Sequence, residues 1–386
     1  MSRHLLIGLS TRALAESAVK HCRNVVTLDY FGDQDQRAQV ENFSLAREYR
    51  LPFSAANLLK ASQDLTFDTV AYTANFENHP NIVAALSDRA SLAGNGAETV
   101  RRIRDWSVLR EFCEKRKIPH PQTLLPGEER LATNGQKWLC KPVNQGGGHS
   151  IRPWDGRPLN DSSILQSYMD GMSASATFLA DGQRCKIIGL TRQLIGRSEL
   201  GGSGYTWCGN ILPLGLNAHK TKTLLEAVEN MVSKLTQNFG LKGFGGMDFI
   251  ISEGVDGKLY PSLLEINPRY TGSMELIESA YGLNIYTLHL DACGGQLPDF
   301  NLLKHPNEKY YGKSIVYARK ELNIQNTYDW AELGRKDIPF PNDSIKPGHP
   351  ICTITAEADT YNTCLAKLIT RADTLRLEIG DLKRDE

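Results

Sequence analysis

The chain has 386 residues, of which 41% are hydrophobic and 23% are charged, proportions that are ordinary for a globular protein of two or three domains. Lysine plus arginine and aspartate plus glutamate number 44 each, so no excess charge favours nucleic acid or an anionic membrane as a partner. No apolar run suits a signal peptide or a membrane span, and the eight cysteines form no C-x-x-C pair, which indicates reduced thiols in the cytoplasm and neither a zinc site nor a disulfide framework.

The first part of the chain alternates short apolar strands with helices. Strands are predicted at 4–9, 24–28 and 69–73, with a helix to about residue 21 after the first. Such alternation predicts a parallel sheet, whose ligands gather at the carboxyl ends of the strands. Gly8, Asp29 and Glu77 fall at such ends. No G-x-G-x-x-G motif is present, so a dinucleotide site of that kind is not expected.

The middle of the chain reads as an antiparallel-rich α+β unit. A helix over 107–117 ends before a proline-containing linker, and an amphipathic helix over 222–238 carries apolar residues three and four positions apart. Strands are predicted at 137–142, 163–169, 174–179 and 185–193. The tail is expected to hold short strands at 313–317, 338–341 and 351–356 and a helix at 361–371. We therefore predict an N-terminal α/β domain at 1–119, an α+β domain at 120–298 and a small β-rich subdomain at 299–386.

A glutamate and an asparagine lie two residues apart in the stretch Leu-Glu-Ile-Asn-Pro-Arg. Successive strand side chains alternate faces, so Glu265 and Asn267 are expected to point the same way. Asp248 lies on a second apolar segment, and Asp256-Gly257 between the segments is typical of a hairpin turn. The three oxygen-bearing groups are therefore predicted to converge, and such ligands suit Mg²⁺. Arg269 follows directly and can face phosphates carried by that metal.

Gly146, Gly147 and Gly148, with His149 after them, form a loop beyond a strand that carries Lys141. Glycines let main-chain N–H groups wrap an anion without interference from Cβ atoms. Three glycines alone equally suit a mobile loop, and a lysine at a strand end is most often a surface charge. Together they indicate a phosphate site.

The stretch Ile-Leu-Gln-Ser-Tyr-Met-Asp-Gly over 164–171 resembles a strand-like connecting segment against which a nucleotide base can bind. Its main chain can read the edge of an adenine while Tyr168 and Met169 supply apolar walls. An ordinary buried strand explains the same residues equally well.

Taken in order, the strand lysine, the glycine-rich loop, the segment ending in Asp-Gly and the Leu-Glu-Ile-Asn-Pro-Arg stretch resemble the ATP-grasp superfamily. The resemblance covers about residues 1–295. The tail from Gly312 is similar to the C-terminal part of the biotin-carboxylase-related branch, which includes predicted carboligases and amine–glutamate ligases of one-carbon cofactor pathways. Asn75-Phe-Glu-Asn and Leu92-Ala-Gly-Asn resemble the N-terminal loops of that branch. The implied fold has an N-terminal parallel-sheet domain, a central ATP-grasp domain and a β-rich C-terminal region.

The resemblance also implies roles for particular residues, with ATP and Mg²⁺ (or Mn²⁺) as cofactors. The nucleotide would be held by Lys141, Gly146, Gly147, Gly148, His149, Gln166, Ser167, Tyr168, Met169 and Ser173. The metal would be held by Asp248, Glu265 and Asn267. Arg269 would stabilise the transferring phosphoryl group, and Arg192 would act on the same group or on a substrate carboxylate, although a solvated strand charge explains Arg192 about as well. Glu77, Asn78 and Asn95 would select the acid or the amine.

Three positions depart from the family pattern. Trp106 stands where relatives commonly place a lysine, and Arg102 or Arg104 is a candidate replacement for it. Gln166 stands where an acidic residue is frequent, and Ser173 stands where a ribose-binding carboxylate is usual. These changes concern recognition of the base, sugar and phosphates and leave the metal site intact.

The leading hypothesis is an ATP-dependent ligase that joins a small carboxylic acid to an amine and releases ADP and phosphate. A biotin-carboxylase-like reaction with bicarbonate is the second hypothesis, although no Met-Lys-Met carrier segment is present. The third is an ATP-binding regulatory protein without turnover. Small-molecule substrates, a cytoplasmic location and a homodimer, which is common among such ligases, complete the expectation. The residue types name neither substrate.

Overall fold

The computed structural model describes residues 2–21, 24–133 and 135–381, and its first part is a parallel sheet. The strands are β1 (His4–Ile7), β2 (Val25–Asp29), β3 (Glu41–Ser44), β4 (Thr69–Tyr72) and β5 (Ser91–Leu92). They lie in the order β3-β2-β1-β4-β5, and all neighbours are parallel. From β1 the strand order runs to β2 and β3 on one side, and it continues with β4 and β5 on the other side. The strand order therefore reverses between β1 and β4, and ligands of such sheets bind at this point. The predicted parallel sheet is confirmed.

Helices cover both faces of this sheet. The helices of this part are α1 (Arg12–Val19), α2 (Gln34–Arg37), α3 (Ala55–Ala61), α4 (Pro80–Ser87), α5 (Ala97–Arg104) and α6 (Trp106–Arg116). Because strand side chains alternate, Leu6 packs in the cluster that contains α1, whereas Leu5 and Ile7 pack in the cluster that contains α3 and α4. Asp105 caps α6 by accepting hydrogen bonds from the N–H groups of Ser107 and Val108.

A small antiparallel sheet follows. Its strands are β6 (Thr123–Leu124), β7 (Trp138–Pro142), β8 (Arg152–Pro153) and β9 (Ser163–Ser167), in the order β6-β9-β7-β8. The glycine-rich loop connects β7 to β8, so Lys141 and the loop begin at the same end of one strand. The segment predicted to read adenine continues from β9.

The largest sheet has seven antiparallel strands in the order β14-β13-β10-β11-β12-β15-β18. Its strands are β10 (Met172–Asp181), β11 (Cys185–Ile195), β12 (Trp207–Leu212), β13 (Lys242–Glu253), β14 (Leu259–Asn267), β15 (Tyr310–Tyr317) and β18 (Pro350–Ala358). Between β15 and β18, the strands β16 (Leu322–Asn323) and β17 (Ser344–Ile345) pair with each other in a separate sheet. The remaining helices are α7 (Ala218–Phe239), α8 (Met274–Tyr281), α9 (Ile285–Cys293) and α10 (Tyr361–Glu378). One face of the sheet packs its apolar side chains against α7. The other face carries the polar side chains of the candidate site.

The tail differs from the expectation in one element. Residues 338–341 do not form the predicted strand, because Pro339 and Pro341 have no N–H to donate to a sheet. Ile338 bonds instead to the start of α2: the Gln34 N–H donates to its carbonyl at 2.9 Å, and its own N–H donates to Asp35 Oδ1 at 2.9 Å. The strands β15 and β18 extend the seven-stranded sheet. The three domain ranges stay a prediction.

The architecture combines a parallel α/β part with antiparallel sheets, which confirms the predicted fold class. Within the described ranges, the structure contains no helix with both the length and the apolar character that crossing a membrane requires.

Candidate active site

The three predicted metal ligands lie together on the polar face of the seven-stranded sheet. Asp248 on β13 is paired with Glu265 on β14, and a β-bulge at Leu264 separates this pair from the next. Asn267 donates from Nδ2 to Asp248 Oδ2 at 3.0 Å and is 3.5 Å from Glu265 Oε1. The side-chain amide therefore bridges two carboxylates. Their role as metal ligands stays a prediction.

Three cationic side chains surround these carboxylates. Arg104, at the end of α5, is 3.5 Å from Glu265 Oε2, and Arg269 donates to Asn267 Oδ1 at 3.1 Å. Burial and the adjacent Glu265 raise the pKa of Asp248 to about 7. Burial opposes ionisation of Glu265, but Arg104, Lys141 and Arg269 outweigh it and lower its pKa. The two carboxylates thus have different affinities for a proton, as expected for a close pair.

Lys141 connects this cluster to the predicted base-binding segment. Its ammonium donates to Gln166 Oε1 at 2.9 Å and lies 5.8 Å from the centre of a Trp106 ring. Burial lowers the pKa of Lys141, and Glu265 and Asp248 act in the opposite direction. A small cavity beside these residues is lined in part by Thr123. Gln166, at the position where the resemblance leads us to expect an acidic residue, thus binds the lysine through an uncharged amide oxygen.

The rest of the predicted nucleotide segment directly follows Gln166 in the chain. Ser167 is buried, and Tyr168 and Met169 are half-buried after the end of β9. The Tyr168 N–H donates to the Lys137 carbonyl at 2.8 Å, which ties the segment to the start of β7. Ser173 lies two residues from Ser175, the partner of Asp248 on β10, so Ser173 shares the face of the carboxylates.

Two glycine-rich loops contact each other above the sheet. The Trp207 N–H donates to the Gly147 carbonyl at 2.9 Å. Gly147 and Gly148 have φ of 71° and 73°, and a Cβ on Gly148 would lie 1.9 Å from the Tyr205 carbonyl oxygen. Only glycine permits this approach. The loop over 143–150 therefore closes against the loop over 196–207, while Gly146 faces open space. His149 packs edge-on against Tyr317, with ring centres 5.4 Å apart.

Glu77, in the segment that follows β4, forms a buried ion pair with Arg269. Arg269 donates from Nε to Glu77 Oε1 at 2.8 Å, and the Glu77 side chain is 3% exposed. Glu77 Oε2 and Asn75 Oδ1 are buried, and neither has a hydrogen-bond partner among the described residues. Glu77 thus has a second carboxylate oxygen without a donor beside Arg269, the residue to which the resemblance assigns the phosphoryl group.

Asn78 and Asn95 have different surroundings. Asn78 accepts from Arg104 Nε at 3.2 Å and donates to the Asn144 carbonyl at 3.4 Å, so it connects Arg104 to the first glycine-rich loop. Asn95 is buried, and its amide group bonds to the carbonyls of Lys242 and Pro268 and to the Lys242 N–H. Asn95 therefore fixes the backbone just before Arg269. The predicted substrate contact of Asn95 gains no support from this arrangement.

The structure does not bring Arg192 to the carboxylates. Its neighbour Gln193 donates to Asp248 Oδ1 at 2.9 Å, and alternation along β11 directs Arg192 to the opposite face. The Arg192 guanidinium lies 4.6 Å from the centre of the Tyr361 ring. The expectation that Arg192 acts on the phosphoryl group is therefore corrected. Arg104, considered only as a substitute for the missing lysine, occupies the position beside Glu265, and Gln193 was missed although strict alternation indicates it.

Comparison with known proteins identifies the fold. Residues 104–273 match the model of the ATP-grasp domain family. These residues form an ATP-grasp domain. The predicted resemblance to the ATP-grasp superfamily is confirmed. A curated relative, an uncharacterized protein of Methanocaldococcus jannaschii, is 24% identical over 381 residues, which are 92% of this chain and 88% of that protein.

Solved ATP-grasp structures cover nearly the whole chain. The biotin carboxylase domain of the Hydrogenobacter thermophilus 2-oxoglutarate carboxylase, in complex with MgADP, ADP and bicarbonate, matches with a TM-score of 0.69 at 14% identity over 95% of this chain and 88% of that chain. The L-amino acid ligase from Bacillus licheniformis matches with a TM-score of 0.67 at 15% identity over 96% of this chain and 97% of that chain. A carboxylase domain and a ligase therefore share this fold with the chain.

Proposed function

We propose that this protein is an ATP-dependent ligase that activates a carboxylic acid as an acyl phosphate and couples it to an amine, releasing ADP and phosphate. The observation that carries the proposal is the meeting of Asp248, Glu265 and Asn267 beside Arg104 and Arg269 on the polar face of an ATP-grasp fold. Lys141 and the glycine-rich loop lie at the same cluster. We also propose small-molecule substrates, a cytoplasmic location and a homodimer; a biosynthetic role in a one-carbon cofactor pathway remains a prediction.

The donor set fits a magnesium ion. Asp248, Glu265 and Asn267 supply hard oxygen atoms, which Mg²⁺ prefers. Asn267 Nδ2 now lies between the two carboxylates, and turning this amide would present its oxygen to the same point. The raised pKa of Asp248 shows that a second negative charge here is costly without a cation. When bound, Mg²⁺ would neutralise charge on the ATP phosphates.

The side chains of this chain account for the first step. Lys141 and Arg104 are positioned to bind phosphate oxygens, and Arg269 to offset the charge that develops during transfer of the γ-phosphoryl group. A carboxylate oxygen of the acid attacks the γ-phosphorus, the bond from that phosphorus to the β,γ-bridging oxygen breaks, and ADP leaves. The contact between the loops over 143–150 and 196–207 would keep water from the acyl phosphate.

Two buried acceptors in the segment after β4 suit the second step. The amine nitrogen attacks the acyl carbon, the carbon–oxygen bond to phosphate breaks, and the nitrogen loses a proton to give the amide. Glu77 Oε2 and Asn75 Oδ1 have no partner among the described residues, so both can accept hydrogens of the amine. Both residues follow the carboxyl end of β4, beside the point where the strand order of the sheet reverses. Ligands of a parallel sheet bind at such a point.

A carboxylase reaction is the alternative. The matched Hydrogenobacter domain was solved with bicarbonate. Bicarbonate is therefore a candidate substrate in place of the organic acid. A third alternative is ATP binding without turnover, as a regulatory protein.

Release of ADP from the purified protein, measured across a panel of acids and amines with ATP and Mg²⁺, separates these functions. The ligase proposal predicts release that requires one acid and one amine together, with the amide found by mass spectrometry. Release that requires bicarbonate and no amine would replace it by the carboxylase reaction. Tight ATP binding without release for any pair would support the regulatory alternative.

A further inference from the structure

Gln166 lies beside Lys141 because of the register of the small antiparallel sheet. Leu139 on β7 pairs with Gln166 on β9, and Lys141 follows Leu139 by two residues. Side chains two residues apart share a face of a strand, so Lys141 and Gln166 are diagonal neighbours on one face. Thr123 on β6 pairs with Gln166 from the other side. The sheet therefore places a threonine, a glutamine and the lysine across three neighbouring strands.

The chemistry of these groups determines which way the Gln166 amide points. Lys141 donates to Gln166 Oε1 at 2.9 Å, and an ammonium group has no lone pair with which to accept a hydrogen bond. At the other end, Gln166 Nε2 donates to Thr123 Oγ1 at 3.3 Å, and that hydroxyl donates to the Pro121 carbonyl at 3.1 Å. A flipped amide would turn its N–H groups toward the ammonium. The amide oxygen is therefore held toward Lys141 by bonds at both ends.

The surroundings of Gln166 do not suit it to read a nucleotide base. The residue is 3% exposed, and protein groups use both ends of its amide. A buried amide whose oxygen already accepts from a cation has its main hydrogen-bonding need met within the protein. The resemblance puts Gln166 in the adenine-binding segment, but the contacts of its side chain lead to the lysine.

Lys141, by contrast, keeps donors for a ligand. An ammonium group has three N–H donors, and within the described ranges that of Lys141 makes only the hydrogen bond to Gln166. The centre of a Trp106 ring lies 5.8 Å from the same nitrogen, and Trp106 and Gln166 line the same small cavity. Glu265 and Asp248 attract the ammonium electrostatically. One donor is thus anchored, and two are available for phosphate oxygens.

We propose that Gln166 is a positioning residue that acts on the phosphates of ATP through Lys141 and makes no contact with the base. The inference rests on the proposed function, in which Lys141 binds phosphate oxygens. Anchoring one N–H restricts a flexible side chain, so the other two donors are directed before ATP binds. Thr123 contributes indirectly, since its hydroxyl holds the far end of the amide.

Titration of the full chain with ATP and Mg²⁺, and separately with adenosine, distinguishes an effect on the phosphates from an effect on the base. Gln166→Leu removes the acceptor of Lys141. It should weaken ATP binding at least about tenfold, because the lysine loses its anchor, and should change adenosine binding by less than about twofold. Gln237→Leu makes the same change at an exposed position of α7 and should leave both affinities unchanged.

A double-mutant cycle tests whether the effect passes through the lysine. Lys141→Met already removes the phosphate contact, so adding Gln166→Leu to it should weaken ATP binding by less than about twofold further. Should Gln166→Leu fail to fold, Thr123→Val removes only the hydroxyl that orients the amide. That variant should weaken ATP binding at least about threefold and spare adenosine binding.

Equal losses of affinity for ATP and adenosine would overturn the inference and show that Gln166 reads the base. Natural ATP affinity in Gln166→Leu, or a loss that adds in full to that of Lys141→Met, would overturn it as well. These titrations contain neither acid nor amine, so they are decided apart from the ligase proposal. Absence of amine-dependent ADP release would refute the ligase and leave the result for Gln166 standing.

Discussion

At the scale of single residues, the carboxylates of Asp248 and Glu265 determine what the site can bind. Burial and the charge of Glu265 raise the pKa of Asp248 to about 7. The pKa of Glu265 is lowered, because the positive charges of Arg104, Lys141 and Arg269 outweigh its burial. A cation bound at this pair would displace the proton that Asp248 otherwise tends to hold. The metal-binding role of the pair stays a prediction.

Replacing Glu265 by glutamine should cut ADP release by orders of magnitude. The change removes one predicted metal ligand and the charge that Arg104 and Lys141 face, and it keeps the shape of the side chain. Steady-state ADP release measures the loss of activity, and a thermal unfolding curve checks that the fold is kept. Glu226→Gln, on the exposed face of α7, is the matched control. A variant at 265 with near-normal rate would contradict the assigned role.

Replacing Lys141 by methionine should weaken ATP binding at least about tenfold, since a buried cation facing phosphate is worth more than an exposed one. The lysine lies near Asp248 and Glu265 and bonds to Gln166, so its loss removes a phosphate contact without removing backbone bonds. Isothermal titration with ATP gives the change. Lys115→Met, at an exposed position of α6, should bind ATP normally; equal affinities for the two variants would exclude the phosphate contact.

At the scale of elements, the two glycine-rich loops are the parts most suited to move during turnover. Their contact includes a backbone hydrogen bond from Trp207 to Gly147 and the close approach of Gly148 to Tyr205. Few bonds are lost when such loops separate, which is typical of lids that open for substrate. Tyr317 also supports the closed arrangement, because its hydroxyl donates to the Trp207 carbonyl at 2.9 Å.

Gly148→Ala should hold the loops apart. Its Cβ would lie 1.9 Å from the Tyr205 carbonyl oxygen at a φ of +73°, so the backbone must shift. We expect amide formation to fall more than tenfold, with a larger fraction of ADP release that yields no amide because water reaches the acyl phosphate. The ratio of ADP to amide measures this. Gly146→Ala, where nothing lies within 4 Å of the added Cβ, should keep the natural ratio; an unchanged ratio in both variants would contradict the lid.

Strand periodicity explains which side chains the sequence could place. Alternation on a hairpin is enough to predict that Asp248, Glu265 and Asn267 converge, and the structure brings them together. The same rule, applied to β11, directs Gln193 to the carboxylates and Arg192 away from them. The expectation for Arg192 was based on residue type and on the neighbouring loop, which carry no information about the face of a strand.

At the scale of the whole molecule, Arg12 joins parts of the chain that are far apart in sequence. It binds Glu275 at the start of α8 and Asp337 in the tail, and Lys313 on β15 binds the same glutamate. Removing one partner of such a buried network leaves an uncompensated charge in the interior and is destabilising. The N-terminal sheet, the seven-stranded sheet and the tail therefore meet at one group of charges.

Glu275 gives stability a definite pH dependence. Burial opposes its ionisation, but Arg12 and Lys313 outweigh it and hold the pKa of Glu275 well below its ordinary value of 4.5. A carboxyl group with a lowered pKa in the folded state contributes stability that is full above the unfolded pKa and is lost as the pH falls through the folded pKa. The contribution should thus be present at neutral pH and decline below about pH 4.5.

Urea unfolding midpoints measured from about pH 3 to about pH 7 test this dependence. Glu275→Gln should unfold at lower urea at pH 7, because Arg12 loses a partner, and its midpoint should change less in acid than that of the natural chain. Glu357→Gln removes an exposed pair with Lys309 and should follow the natural curve. Parallel curves for Glu275→Gln and the natural chain would contradict the assignment.

Contacts between segments that are far apart in the chain could not be predicted from the sequence. The strands of the tail were predicted as short β elements, but their place at the edge of the seven-stranded sheet depends on pairing of β12 with β15, more than ninety residues apart. The same holds for Arg12 with Asp337 and for Glu77 with Arg269. No local pattern specifies such pairs, because they depend on how the finished sheets pack.

The central claim is that Asp248, Glu265 and Asn267 hold the cation that accompanies ATP. Crystals grown with a non-hydrolysable ATP analogue and Mn²⁺, which takes oxygen ligands as Mg²⁺ does, allow the anomalous signal of the metal to be located directly. The account predicts a peak bounded by these three side chains, with phosphate oxygens between the peak and Lys141. Ordered nucleotide with its metal peak elsewhere, and these side chains unmoved, would contradict it.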